Sequence, residues 1–303
     1  MAITLFTNSS AMSASNALQK ANTTLATAME HLGTGKRITK ASDDAAGLQV
    51  ATRLQGQTNG MAVAQRNIAD ASTMLQTGEG AMDEVSNIMY RMKDLATQGA
   101  TDTNTADSRK AIDTEMDSLK TELSSIMGNT SYAGNKLFSD TKDATGTVTS
   151  KAKMGDAMIF QTGSESGETT KVDVSAQLKN VFSSIDTLST ASVQDTAADA
   201  TNNKPAVSGT ANANAMIDTL NTALDNVSSL RSSFGASING LSHAAANLTN
   251  MKDNTDQALG NIQDADFASE ASKMTRSQML AQTSTSMLKQ SNSMSSLVMS
   301  ILG

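Results

Sequence analysis

The 303-residue sequence contains no cysteine and no tryptophan, a single proline, Pro205, and only 3% aromatic residues. Without cysteine there are no disulfides and no thiolate zinc sites, although that absence does not fix a compartment. Two histidines, His31 and His243, leave no H-E-x-x-H pair for a zinc hydrolase. One stands at a helix end and the other beside an apolar seam, where packing is the commoner role. The shortage of large rings means a thin core of small side chains, as between helices packed along their length. No run of 18 apolar residues occurs, so membrane insertion is not expected. The net charge is −7 and no run of Lys or Arg occurs, which removes the electrostatic footprint of a nucleic-acid binder. MAITLFTNSSAMSASNALQK at the N-terminus has no basic n-region and no continuous apolar core, so it does not read as a cleaved secretory signal.

What is present is a heptad. Leu54, Met61, Ile68, Leu75, Met82 and Met89 recur every seven residues, with Val50, Ala64, Ala71, Val85 and Met92 as a companion row. The pattern predicts one helix from Asp43 to Gly99, roughly 85 Å long at about 1.5 Å per residue. A rod of that length must be covered by other rods. Gly56, Gly60, Gly78 and Gly80 each cost about 1 kcal/mol against Ala inside a helix, so close backbone approach or assembly contacts are expected there.

Upstream, Ala11, Leu18, Leu25 and Leu32 fall seven apart with Ala14, Ala21 and Ala28 between them, predicting a first helix that packs tightly on a neighbour. HLGTGKRITKA then reads as a loop, and Ser42, Asp43 and Asp44 as the N-cap and acidic first turn of the long helix. GTGK lacks the first glycine of a phosphate loop and is followed by Arg37, so no nucleotide or other cofactor is expected. After the turn at Ala100 to Asp107, the steps Ile112, Met116, Leu119, Leu123 and Ile126 predict a second, antiparallel helix. Ala157 to Gln161 and Thr169 to Val174 predict a β-hairpin near 157–175, and the low-complexity stretch 187–214 an exposed loop. A seam returns through Leu224, Phe234, Leu241 and Leu248 in a second long helix. The last helix carries Leu280, Met287, Met294 and Ile301 in one row, with Met274, Ala281, Leu288 and Leu302 beside it. The fold class is mainly α, an elongated antiparallel helical hairpin or coiled-coil bundle with a small β-hairpin region.

Ordered motifs run through both ends of the chain: HLGTGKRITKASDDAAGLQVATRL, NIADASTMLQTGEGAMDEV, MKDLATQGA and GNTSYAGNKLF, then SSLRSSFGA, NIQDADFASEASKMTRSQML and LVMSIL. Together they resemble bacterial flagellin. The resemblance implies a structural subunit that self-assembles into the flagellar filament for motility. Residues 1–41 and 264–303 would form a terminal coiled coil in the inner tube, with 42–263 as the outer core. The inner seam would comprise Leu18, Leu25, Leu32, Leu280, Met287, Leu288, Met294 and Ile301. The implied partners are further copies of the chain, the flagellar type III export apparatus, a chaperone on the C-terminal helix, and the filament cap and hook-junction proteins. The implied location is outside the cell without signal cleavage. YRMKDLATQ resembles the segment through which flagellins contact a vertebrate toll-like receptor, which would place Arg91, an exposed Leu95 and Glu115 at that contact. The chain departs from many members in having no room for a large variable surface domain, in ending without a terminal Arg, and in carrying Tyr90 where a smaller amide is usual.

The terminal seams are expected to find cover only when neighbouring subunits supply it, which couples ordering to assembly. An enzyme has little to recommend it, since paired acids such as Asp43 and Asp44 are explained by capping. A cytoplasmic coiled-coil scaffold or signalling protein would share the heptads without needing the MTRSQML and DDAAG motifs.

Overall fold

A computed structural model of the protein describes residues 8–139, 141–142, 148–194 and 208–302. Six α-helices dominate these residues: α1 (Ser9–Thr34), α2 (Ala45–Gly99), α3 (Ala106–Asn129), α4 (Ser175–Thr190), α5 (Gly209–Gln263) and α6 (Phe267–Leu302). Between α3 and α4 lie three antiparallel ribbons of two strands each: β1 (Ser131–Tyr132) with β2 (Asn135–Lys136), β3 (Thr141–Lys142) with β4 (Val148–Ser150), and β5 (Met158–Gln161) with β6 (Thr169–Val172). The class is mainly α with a small β region.

By compactness the chain divides into residues 1–58 with 252–303, and residues 59–251. The expected boundaries at 41/42 and 263/264 follow helix ends instead. The division falls inside α2 and α5 because the connectors tie their nearest turns together. Arg37 N donates to Gln263 O at 2.7 Å, Arg37 Nη2 to Ile262 O at 2.8 Å, and Ala265 N to Gly35 O at 2.9 Å. Gly35, at φ 72°, ends α1 in the left-handed conformation, its N–H returning to His31 O. Asp44 caps α2 through Gly47 N at 2.8 Å, whereas Asp43 faces back and accepts from Thr39 N and Lys40 N. A Cβ on Gly47 would meet Asp44 and Ile38 at 2.5–2.7 Å, which explains the glycine of DDAAG.

The second unit has one apolar core, from Met61 to Leu248. Met61, Ile68, Leu75, Met82 and Met89 of α2 and Leu224, Phe234, Leu241 and Leu248 of α5 are all buried in it. Leu54 is only half-buried, and Val50 is exposed, because both precede the stretch of α2 that contributes to this core. Of Gly56, Gly60, Gly78 and Gly80 inside α2, two have a local reason. A Cβ on Gly60 would lie 2.8 Å from Ser164, and one on Gly78 3.0 Å from Met154, so the β region packs directly on the helix backbone. Gly56 and Gly80 face open space.

The expected loop at 187–214 is corrected at both ends. Residues 187–190 close α4, whose Leu178, Val181 and Leu188 are core, and Val193 is fully buried. Gly209 and Ala213 are buried in the first turns of α5. Residues 195–207, including Pro205, lie outside the described residues.

Candidate assembly surface

In the first unit α1 and α6 pair through small side chains. Ala14, Ala21 and Ala28 of α1 are buried, as are Ser277 and Ser284 of α6. With Glu270 and Ser291 the serines form a heptad row of their own, and Cα atoms of the two helices repeatedly approach within 8 Å. Side chains this small let helix backbones come closer than the 8–10 Å usual between helices. Leu18, Leu25, Leu32, Met274, Ala281 and Leu288 flank the contact and are half-buried.

Polar groups lock the register. Asn8 caps α1, its Oδ1 accepting from Ser10 N and Ala11 N, and its Nδ2 donates to Ser291 Oγ at 2.7 Å. Asp266 caps α6 through Ala268 N at 2.9 Å. Further along, Glu270 Oε1 lies 2.8 Å from Lys273 Nζ and 3.6 Å from His31 Nδ1. The Lys273 ammonium holds the Glu270 carboxyl below its ordinary value against the opposing effect of burial, and His31 acts in the same direction. Neither ring nitrogen of His31 has a hydrogen-bond partner among the described residues. Beside this cluster Glu30 Oε2 pairs with Lys40 Nζ at 2.7 Å, which lowers the Glu30 pKa.

The pairing leaves the most apolar row of α6 uncovered. Leu280, Met287 and Met294 lie three residues after Ser277, Ser284 and Ser291, about 60° round the helix. They are 52%, 59% and 60% exposed. Met279, Phe267, Met12 and Met29 are exposed as well, so most of the large exposed apolar side chains among the described residues belong to this unit. The expectation that the terminal seams have no cover within one chain is thus corrected in part. The Ala and Ser rows cover each other, and the Leu280 row does not. The side chain of Ile301 lies outside the described residues.

Arg91 and Glu115 are exposed and form an ion pair, Nη2 to Oε1 at 2.6 Å. Leu95 is 3% exposed and part of the core, because it falls on the buried face of α2 with Met92 and Ala96; its expected exposure is corrected. His243 is exposed on α5. The largest polar feature missed in sequence is at the α3 start. Buried Arg109 donates to Gly99 O, Thr101 O and Thr210 Oγ1, while buried Asp113 accepts from Ser192 Oγ, Val193 N and Gln194 Nε2 at 2.7–3.2 Å. Both occupy core positions of α3, an i, i+4 pair on the face that continues with Met116. Among the described residues no group of His, Asp and Glu could hold a metal ion, and no helix is long and apolar enough to cross a membrane.

A mainly helical chain whose paired terminal helices keep an apolar row in solvent is of the class that completes its packing with other chains. Its sequence matches the family models for the bacterial flagellin N-terminal helical region over residues 5–143 and the C-terminal helical region over 217–302. It is 33% identical to polar flagellin F of Vibrio parahaemolyticus and 32% to flagellin A of Vibrio anguillarum, each aligned over the whole of both chains. The first alignment spans 380 positions, 77 more than this chain has residues, so the relative carries insertions that this chain lacks. In fold it is similar to a putative flagellar hook-associated protein from Vibrio parahaemolyticus, with TM-score 0.54 and 21% identity over 73% of this chain and 100% of that one. The chain belongs to the bacterial flagellin family. It is a structural subunit of the flagellar filament, outside the cell, and serves motility.

Proposed function

We propose that Leu280, Met287 and Met294 on α6, continued by Ile301, form the surface through which one subunit holds the next in the inner tube of the filament. The flanking Leu18, Leu25, Leu32 and Leu288 shape its edges. The observation that carries this reading is the exposure of that row beside a tightly closed Ala and Ser contact. An apolar stripe of this kind gains roughly 25 cal/mol for each Å² it removes from water, and none of the described residues covers it. The Met61 to Met89 and Leu224 to Leu248 seams serve instead as the internal core of the subunit, in the outer part of the filament.

In the same reading the subunit leaves the cell through the type III export apparatus with its C-terminal helix in the groove of a chaperone, and it meets the filament cap and hook-junction proteins at the ends of the polymer. Any contact with a host toll-like receptor is confined to Arg91 and Glu115. The test is seeded polymerisation of Leu280→Asp with Met287→Asp. Both positions are exposed, so helicity and monomer size should match wild type while sedimentable filaments disappear. Polymerisation at the wild-type critical concentration would refute the assignment.

A further inference from the structure

The chain has 19 methionines and no cysteine, so its oxidisable sulfur is all thioether. The structure sorts these sulfurs sharply. Among the described residues nine are buried, Met82, Met89 and Met116 included, all in the second unit. Met12, Met29, Met279, Met287 and Met294 are each more than half exposed, and all five belong to the first unit. Oxidation follows access, so a mild oxidant meets the assembly helices long before it meets the core.

We propose that these five methionines form a site of reversible oxidation that switches off polymerisation of the free subunit. The oxidant is a peroxide or hypochlorous acid. With hydrogen peroxide, a sulfur lone pair takes the terminal oxygen: an S–O bond forms, the O–O bond breaks, and water leaves. Sulfur loses two electrons and the peroxide gains them. A dithiol reductase reverses the step, its thiols closing to a disulfide as the sulfoxide oxygen departs as water. The sulfoxide is polar and a strong acceptor, and the residues next to Met287 and Met294 along the row, Leu280 and Ile301, offer it no donor. A contact that closed over it would bury an unsatisfied oxygen. No thiol in the chain competes for the oxidant, and Met251, 40% exposed, is the most accessible methionine of the second unit among the described residues.

The consequence for assembly rests on the surface proposed above; the selectivity of oxidation does not. The experiment treats the full-length monomer with dilute hydrogen peroxide, maps sulfoxides by peptide mass spectrometry, and follows seeded polymerisation. The five methionines of the first unit should be fully converted before Met82, Met89 and Met116 react. The critical concentration should rise at least about tenfold, the effect of burying one unsatisfied polar group. Methionine sulfoxide reductases should restore it. Equal oxidation of exposed and buried methionines overturns the proposal. So does an equal loss of polymerisation on oxidation in a variant with all five changed to Leu. If that variant misfolds, the partly oxidised wild type is fractionated instead. Sulfoxide at the five sites concentrated in the unpolymerised fraction supports the proposal, and an even distribution overturns it. Leu280→Asp places a charge in the row without offering a sulfur, so it tests the surface itself independently of oxidation.

Discussion

At the scale of single residues, the α1 and α6 pair depends on having almost nothing at its centre. Ala21 is 5% exposed between half-buried leucines. Ala21→Leu would wedge the helices apart and should destabilise the pair by about 1–3 kcal/mol, read as a lower first transition in thermal circular dichroism. Glu270 gives a pH dependence. Its carboxyl is lowered from 4.5 in the folded state, so its contribution is complete above about pH 4.5 and is lost as pH falls through the lower folded value. Melts recorded between about pH 6 and 3 should show that loss, and Glu270→Gln should start less stable and fall less steeply. These residues mark where sequence reading stops. Hydropathy ranks Leu280 and Met287 above Ser277 and Ser284, yet backbones this close bury the serines and leave the larger side chains outside. The seven-residue row of Glu270, Ser277, Ser284 and Ser291 was legible as a repeat of small or polar residues, but repeats are read first in apolar ones. Leu95 misled for a related reason, since its neighbour Arg91 is exposed while Leu95 itself falls on the buried stripe.

At the scale of elements, the long helices were plain in the sequence because their seams use Met, Leu, Ile and Phe at heptad spacing. The class of α2 and α5 follows directly from that, whereas α5 starts at Gly209, inside the expected loop. Helix α4 was not read in the sequence, although Leu178, Val181 and Leu188 step by 3 and 7, and the low-complexity stretch after it drew the loop boundary too early. The Arg109 and Asp113 clasp was not legible, because its partners are backbone carbonyls and a segment some 80 residues away. Asp113→Ala strands three donors around a buried site and should cost about 2–3 kcal/mol in urea unfolding, with faster hydrogen exchange at Val193. The helix glycines offer a paired comparison. Gly80 faces open space, so Gly80→Ala should stabilise the monomer by about 0.5–1 kcal/mol. At Gly209 a Cβ would lie 2.6 Å from Arg109 Cδ and 2.8 Å from Val193 O, so Gly209→Ala should destabilise it by about 1–3 kcal/mol. Opposite signs in the same denaturation assay are the expected result.

At the scale of the whole molecule, the chain invests its large apolar residues in two ways. In residues 59–251 they fill a core that is finished within the subunit. On α6 they remain in water, as the proposed assembly surface requires. The alignment with its Vibrio relative has 77 positions at which this chain has no residue, while both matched helical regions are kept. The most direct test is a helical reconstruction by cryo-electron microscopy of filaments grown from this protein. Leu280, Met287 and Met294 should each lie within van der Waals contact of a neighbouring subunit, with the Ala21 and Ser277 rows still closed on each other. Filaments in which those three side chains face water would contradict the account.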